Sequence, residues 1–139
     1  TTQAFWYLNA SGLISGSAGT VALTSQLPTS GTITGGTYTK TPMNDGTGRS
    51  VLVQSFVVSA QDRSTIQFPI TLSTTDNMTI NLTSQYDTTG IGSSQIANFL
   101  DGTAGASSFI LDLRSVYSSG SQGNYNFMKI FVTVEGIVT

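Results

Sequence analysis

The sequence predicts an all-β fold, a jelly roll or β-sandwich of about eight to ten antiparallel strands. Two observations carry that prediction. Wherever apolar residues recur, they recur at every second position, the period of a half-buried strand. The segments between them are rich in Gly, Ser, Thr, Asn and Asp and return at intervals of about ten residues, as turns do in sandwiches.

Taken in order, AFWYL near the start and TVALT near position 22 are short strand candidates, and TITGGTY is a weaker one. SVLVQSFVVSA is β-branched and nearly continuous in apolar character, which predicts a central strand. In STIQFPITLS, Ile66, Phe68, Ile70 and Leu72 alternate with Thr65, Gln67, Pro69 and Thr71. NMTINLT repeats the alternation with Met78, Ile80 and Leu82, and TTDN between the two runs supplies turn residues, so residues 64–84 read as a hairpin. Pro69 cannot donate to a ladder, which puts its strand at an edge or a bulge.

SQIANFL reads as one helical turn or a bulged strand, with the turn preferred because Ile96, Phe99 and Leu100 follow the i, i+3, i+4 spacing. SSFILDLRSVY sets Phe109, Leu111 and Leu113 on one face and Ile110, Asp112 and Arg114 on the other. The last strand, about residues 125–138, sets Met128, Ile130, Val132 and Val134 against Phe127, Lys129, Phe131 and Thr133. It is apolar on both faces, so burial on both is expected. NASGLISGSAGT, MNDGTGRS, YDTTGIGSS, DGTAGAS and SSGSQGN read as linkers. A chain of 139 residues without internal repeats or a disordered tail reads as one domain, 1–139. The opening TTQAFWYL without an initiator Met reads as the C-terminal part of a longer protein or as a processed product.

Composition narrows the function. Five Lys and Arg against seven Asp and Glu leave no basic field for a nucleic-acid backbone, so no nucleic-acid partner is expected. Without cysteine there is neither a disulfide frame nor a thiolate metal site. Without histidine the commonest general base and transition-metal ligand are missing, and a Ser–His–Asp triad cannot be built. No metal site, no cofactor and no catalytic residue is expected. Lys40 and Lys129 are the only lysines, and Lys129 lies in a core-forming strand, which argues against a Ser–Lys pair. Of the carboxylates Asp76, Asp87, Asp101, Asp112 and Glu135, four fall in or beside turn sequence, where an aspartate caps its own backbone rather than pairing for glycoside cleavage. GSAGT and NDGTGRS lack phosphate-loop spacing, and NDGTG has too few carboxylates for calcium. The sequons at Asn9, Asn77 and Asn81 are what abundant Ser and Thr produce by chance.

Arg114 and Arg63 follow closely on Asp112 and Asp62. Each reads as a surface pair with its own aspartate. In a closed oligomer, an arginine on the contact face would instead be repeated around the axis and would need a neighbouring carboxylate or a small bound anion between subunits. Tyr38, Tyr86, Tyr117 and Tyr125 fall in or beside loops, where tyrosine packs locally or stacks on sugar rings.

A Ser/Thr/Gly-rich all-β domain without Cys or His, opening on AFWYL and closing on NYNFMKIFVTVEGIV, resembles the trimeric knobs that cap viral and phage fibres. More narrowly, it resembles the C-terminal knob of the tail needle of short-tailed phages, a trimeric jelly roll of the tumour-necrosis-factor type. The likeness spans the whole chain and has no short motif, so no functional residue transfers by position. It implies a non-enzymatic virion protein, outside the cell at the tail tip, that contacts the host envelope during attachment and genome delivery. Its implied partners are two further copies, a glycan or outer-membrane component of the host surface, and other tail proteins through a preceding shaft. The trimer contact is then expected at Met128, Ile130, Val132, Val134, Phe127 and Phe131, and the receptor-facing loops at Tyr86, Tyr117 and Tyr125. A monomeric carbohydrate-binding module or bacterial adhesin domain explains the composition equally well, but not a terminal strand apolar on both faces.

Overall fold

The computed structural model of the chain describes residues 6–8, 13–16, 19–23, 26–85, 94–116, 122–124 and 128–139. The described residues form β1 (Trp6–Leu8), β2 (Leu13–Gly16), β3 (Gly19–Leu23), β4 (Thr29–Ile33), β5 (Gly36–Pro42), β6 (Ser50–Ala60), β7 (Thr65–Gln67), β8 (Thr79–Ser84), β9 (Ser94–Phe99), β10 (Ser108–Val116), β11 (Gln122–Asn124) and β12 (Met128–Val138). No α-helix occurs among them. The fold is all-β, and every strand pairing is antiparallel.

A five-stranded sheet runs β4-β5-β6-β12-β8. In the second, β10 pairs with β9 along one edge and with β7 and β11 along the other. β1, β2 and β3 form a separate three-stranded sheet. The two larger sheets share one core: Leu52, Phe56 and Ala60 of β6 and Met128, Ile130, Val132 and Val134 of β12 cluster with Ile66, Phe68, Leu72, Phe109, Leu111 and Leu113. Phe109, Leu111 and Leu113 are wholly buried, as their alternation predicts, and burying side chains of this size contributes about 1.5–3 kcal/mol each. Phe109 is wedged between Phe68 and Phe99, with ring centroids 6.0 and 6.1 Å away.

The central place predicted for SVLVQSFVVSA holds, because β6 lies between β5 and β12. β12 lies next to it, between β6 and β8. All eleven of its residues pair with β6, from Met128↔Ala60 to Val138↔Ser50, and Ile130–Glu135 pair with β8 on the other side. Over residues 128–135 only one face of β12 is buried by the chain itself, whereas near its end Ile137 is buried on the outer side as well. Met128, Ile130, Val132 and Val134 point inward, whereas Lys129, Phe131 and Glu135 are exposed on the outer face. At the end of the strand Gly136 leaves space that Leu72 fills, since a Cβ there would lie 2.5 Å from Leu72 Cδ1.

The hairpin expected over residues 64–84 does not form. β7 pairs with β10, and β8 pairs with β12 in the other sheet. Residues 68–73 cross between the sheets while keeping the burial alternation: Phe68 and Leu72 are buried and Ile70 is half-buried. Pro69 ends the ladder because it carries no N–H, and the amides around it bond one at a time. Phe68 donates to Ser107 O (2.7 Å), Leu72 to Ala106 O (2.8 Å) and Ser73 to Ile137 O (2.8 Å). At Ile70 a core side chain takes the place of a backbone partner. Gln54 Nε2 donates to Ile70 O at 2.7 Å and Gln54 Oε1 accepts from Ile70 N at 3.0 Å, so the amide copies a ladder pair. Gln54 has no exposed surface, and these bonds are why its burial is tolerated.

Three further expectations change. Of the two readings of SQIANFL the strand holds, without a bulge, and the preferred helical turn does not: in β9, Ile96↔Arg114 through Phe99↔Leu111 pair in continuous register, so pairing with β10 overrides an apolar spacing that fits a helix. Two linkers contain strands, β2 within NASGLISGSAGT and β11 within SSGSQGN. TITGGTY is not one strand but the end of β4, the turn Thr34–Gly35 and the start of β5. Gly35 adopts φ 74°, and a Cβ on Gly36 would lie 1.8 Å from Ser55 O, so this close approach of turn to β6 requires glycine.

Gln54→Met keeps the volume but leaves Ile70 N–H and C=O without partners, and is expected to cost about 2–4 kcal/mol in urea unfolding. Gln54→Glu keeps the acceptor and turns an oxygen toward Ile70 O. Only its protonated form can donate and burial disfavours the charged form, so its deficit relative to wild type is expected to be large at neutral pH, to shrink as pH falls toward about 4, and to stay at its smallest below that. A Gln54→Met protein as stable as wild type would contradict this role of Gln54.

Candidate functional site

The outer face of the five-stranded sheet can be read from its registers, because directly paired residues share a face. On β12 it presents Lys129, Phe131, Thr133 and Glu135, and beside them on β6 lie Ser59, Val57, Ser55 and Val53. On β8 it presents Thr83, Asn81 and Thr79, and on β5 Thr37, Thr39 and Thr41. Small hydroxyl residues therefore cover most of it, and Ser55 Oγ and Thr133 Oγ1 are hydrogen-bonded at 3.0 Å. Phe131 and Val57 are direct cross-strand neighbours. They are 48% and 38% exposed, which makes them an exposed apolar pair on an almost uncharged face that is otherwise mostly small and polar, with Val53 half-buried beside Glu135. Two grooves meet at Val57. One of about 340 Å³ lies between the Gly35–Gly36 turn and Phe131. The other, of about 460 Å³, is lined by Ile33, Phe56, Val57, Phe68 and Pro69.

Of the six residues expected at a subunit contact, Met128, Ile130, Val132 and Val134 belong to the chain's own core, at 0–8% exposure. They are not available to a neighbour. Phe131 is available, and Phe127 lies outside the described residues, as do Tyr86, Tyr117 and Tyr125. Sequence reasoning missed Val57, which it placed inside a central strand. The signal was present in the alternation: Phe56 takes the buried face, so Val57 takes the open one.

Arg114 and Arg63 both lie along β10 but are held separately. Arg114 Nε donates to Asp112 Oδ1 at 2.9 Å on the face opposite Leu111 and Leu113. Arg63 occupies the 61–64 turn with φ 65°, a left-handed conformation that is uncommon for a long side chain. β10 fixes that turn: Arg63 N donates to Leu111 O (3.0 Å) and Leu111 N donates to Ser64 O (2.9 Å). Asp62 adds a third tie, its buried carboxylate accepting from Leu113 N at 2.8 Å. Asp62 thus serves the β10 backbone first, and Arg63 Nε stands 3.7 Å from its other oxygen. No described bond links the two arginines, and each is arranged as a pair with its own aspartate.

A third polar cluster closes the β5–β6 loop. Asn44, Gly46 and Gly48 adopt positive φ. Within that loop the Thr47 hydroxyl and amide both donate to Asp45 Oδ1. Arg49 Nε donates to Thr47 Oγ1 at 2.9 Å, and its Nη2 pairs with Asp45 Oδ2 at 3.0 Å. The Thr47 hydroxyl first, then its amide and the Arg49 guanidinium, hold the Asp45 carboxyl at about 2 instead of its ordinary 3.8. A depressed carboxyl contributes stability above its unfolded pKa and loses it as pH falls through the folded value. This loop's contribution is therefore present above about pH 4 and disappears toward pH 2. In a carbon-detected NMR titration, Asp45 is expected to reach its midpoint at about 2. A midpoint at the ordinary value, or one unmoved by Thr47→Val, would contradict the cluster.

Comparison of the chain with protein-family models, with curated proteins and with solved structures finds no match.

Proposed function

We propose that the chain is the trimeric knob of a phage tail needle or tail fibre, a virion protein without enzymatic activity that contacts the host envelope during attachment and genome delivery. The observation that carries the reading is the two-sidedness of β12. Its inner residues complete the chain's own core, while its outer side leaves Phe131 exposed beside Val57 on a nearly neutral sheet face. Exposed aromatic and β-branched side chains on a flat, charge-poor surface are what the core of a homotypic contact is made of. A small domain without disulfides gains stability from such association. In the proposed assembly the two larger sheets form a jelly roll of the tumour-necrosis-factor type, with β12 near the threefold axis. The tail tip is its proposed location, and the host-surface component and neighbouring tail proteins are its proposed partners.

Light scattering behind size-exclusion chromatography at several concentrations tests this. The mass of three chains, persisting on dilution, is expected. Phe131→Glu is expected to yield folded single chains, because the substituted side chain is exposed in the isolated fold. Val132→Asp is expected to unfold the protein whatever its oligomeric state, since a charge at a 1%-exposed core position costs several kcal/mol, roughly the 3–5 kcal/mol of an unpaired buried ion. A wild-type mass of one chain would contradict the proposal.

A further inference from the structure

The nearly neutral outer face carries two charges, and neither has a partner among the described residues. Lys129 and Glu135 lie on the same face of β12 and are exposed. Among the described residues no side-chain hydrogen bond or ion pair engages either of them. Six residues of extended strand hold them about 20 Å apart, too far to meet each other. Phe131 and Thr133 lie between them, with Val53, Ser55, Val57 and Ser59 alongside on β6.

This arrangement limits what can cover the face. A neutral partner would strand both charges at the contact, and a purely acidic or basic one would satisfy one and repel the other. A second copy laid head to tail satisfies both, because the Lys129 end of one strand meets the Glu135 end of the next. Copies aligned head to head would set lysine against lysine. We propose that the partner of this face is another copy of the chain, and that Lys129 of each copy pairs with Glu135 of its neighbour across the boundary. The inference rests on the association proposed above and specifies its orientation. A closed ring repeats the pair once at every boundary.

Charge reversal tests the pair in the full chain. Subunit exchange between isotopically light and heavy chains, followed by native mass spectrometry, reads the contact even in a tight assembly. Lys129→Glu and Glu135→Lys are each expected to speed exchange by at least about tenfold. The double reversal restores opposite signs and is expected to return to within about threefold of wild type. Melting of any isolated chain should not change, because both positions are exposed. An assembly in which neither reversal matters, or in which the double variant is as labile as the single ones, overturns the pair and leaves the association standing. A wild-type protein that remains a single chain overturns both.

Discussion

The structure depends on β12 being paired on both edges. A strand that hydrogen-bonds β6 along its whole length and β8 along Ile130–Glu135 has its alternation fixed by two independent registers. A slip of one residue would turn Met128, Ile130, Val132 and Val134 out of the core and bring Lys129, Phe131 and Glu135 into it. The core of the opposing sheet follows from that choice. Phe109, Leu111 and Leu113 of β10 have an apolar surface to pack on only while β12 keeps its register.

One side of the sandwich is joined by a segment that belongs to neither ladder. Residues 68–73 are too apolar to lie on the surface, yet Pro69 prevents them from continuing as a strand. The fold meets both demands by spreading their amides over several acceptors and by committing the Gln54 side chain to Ile70. Asp62 plays a comparable part at the neighbouring corner, where its carboxylate receives Leu113 N–H on the edge of β10, between the stretches that β7 and β11 pair. Buried polar side chains therefore act here as short substitutes for backbone, placed where the chain passes from one sheet to the other.

The long strands were legible in the sequence because alternation and β-branching reinforce each other. β6, β10 and β12 follow their predicted segments, and so does the inward face of β10. What escaped was pairing. Two alternating runs separated by TTDN look like a hairpin, and nothing local tells that Thr65–Gln67 and Thr79–Ser84 belong to different sheets. Ile96, Phe99 and Leu100 fit a helix, but β9 exists because β10 offers it an edge, a long-range term no short window contains. The site was half legible. The apolar excess of the last strand was visible, but which half of it remains exposed depends on Phe56 and Val132 both facing inward, and hence on the register of β6 with β12.

Native-state hydrogen exchange tests the central role of β12 most directly. Amides from Ile130 to Val134, flanked by β6 and β8, are expected to exchange only through global unfolding. Amides of the edge strand β4 are expected to open locally and exchange at least about a hundredfold faster. Exchange from β12 as fast as from β4 would contradict this role, because the core could then persist while β12 came loose.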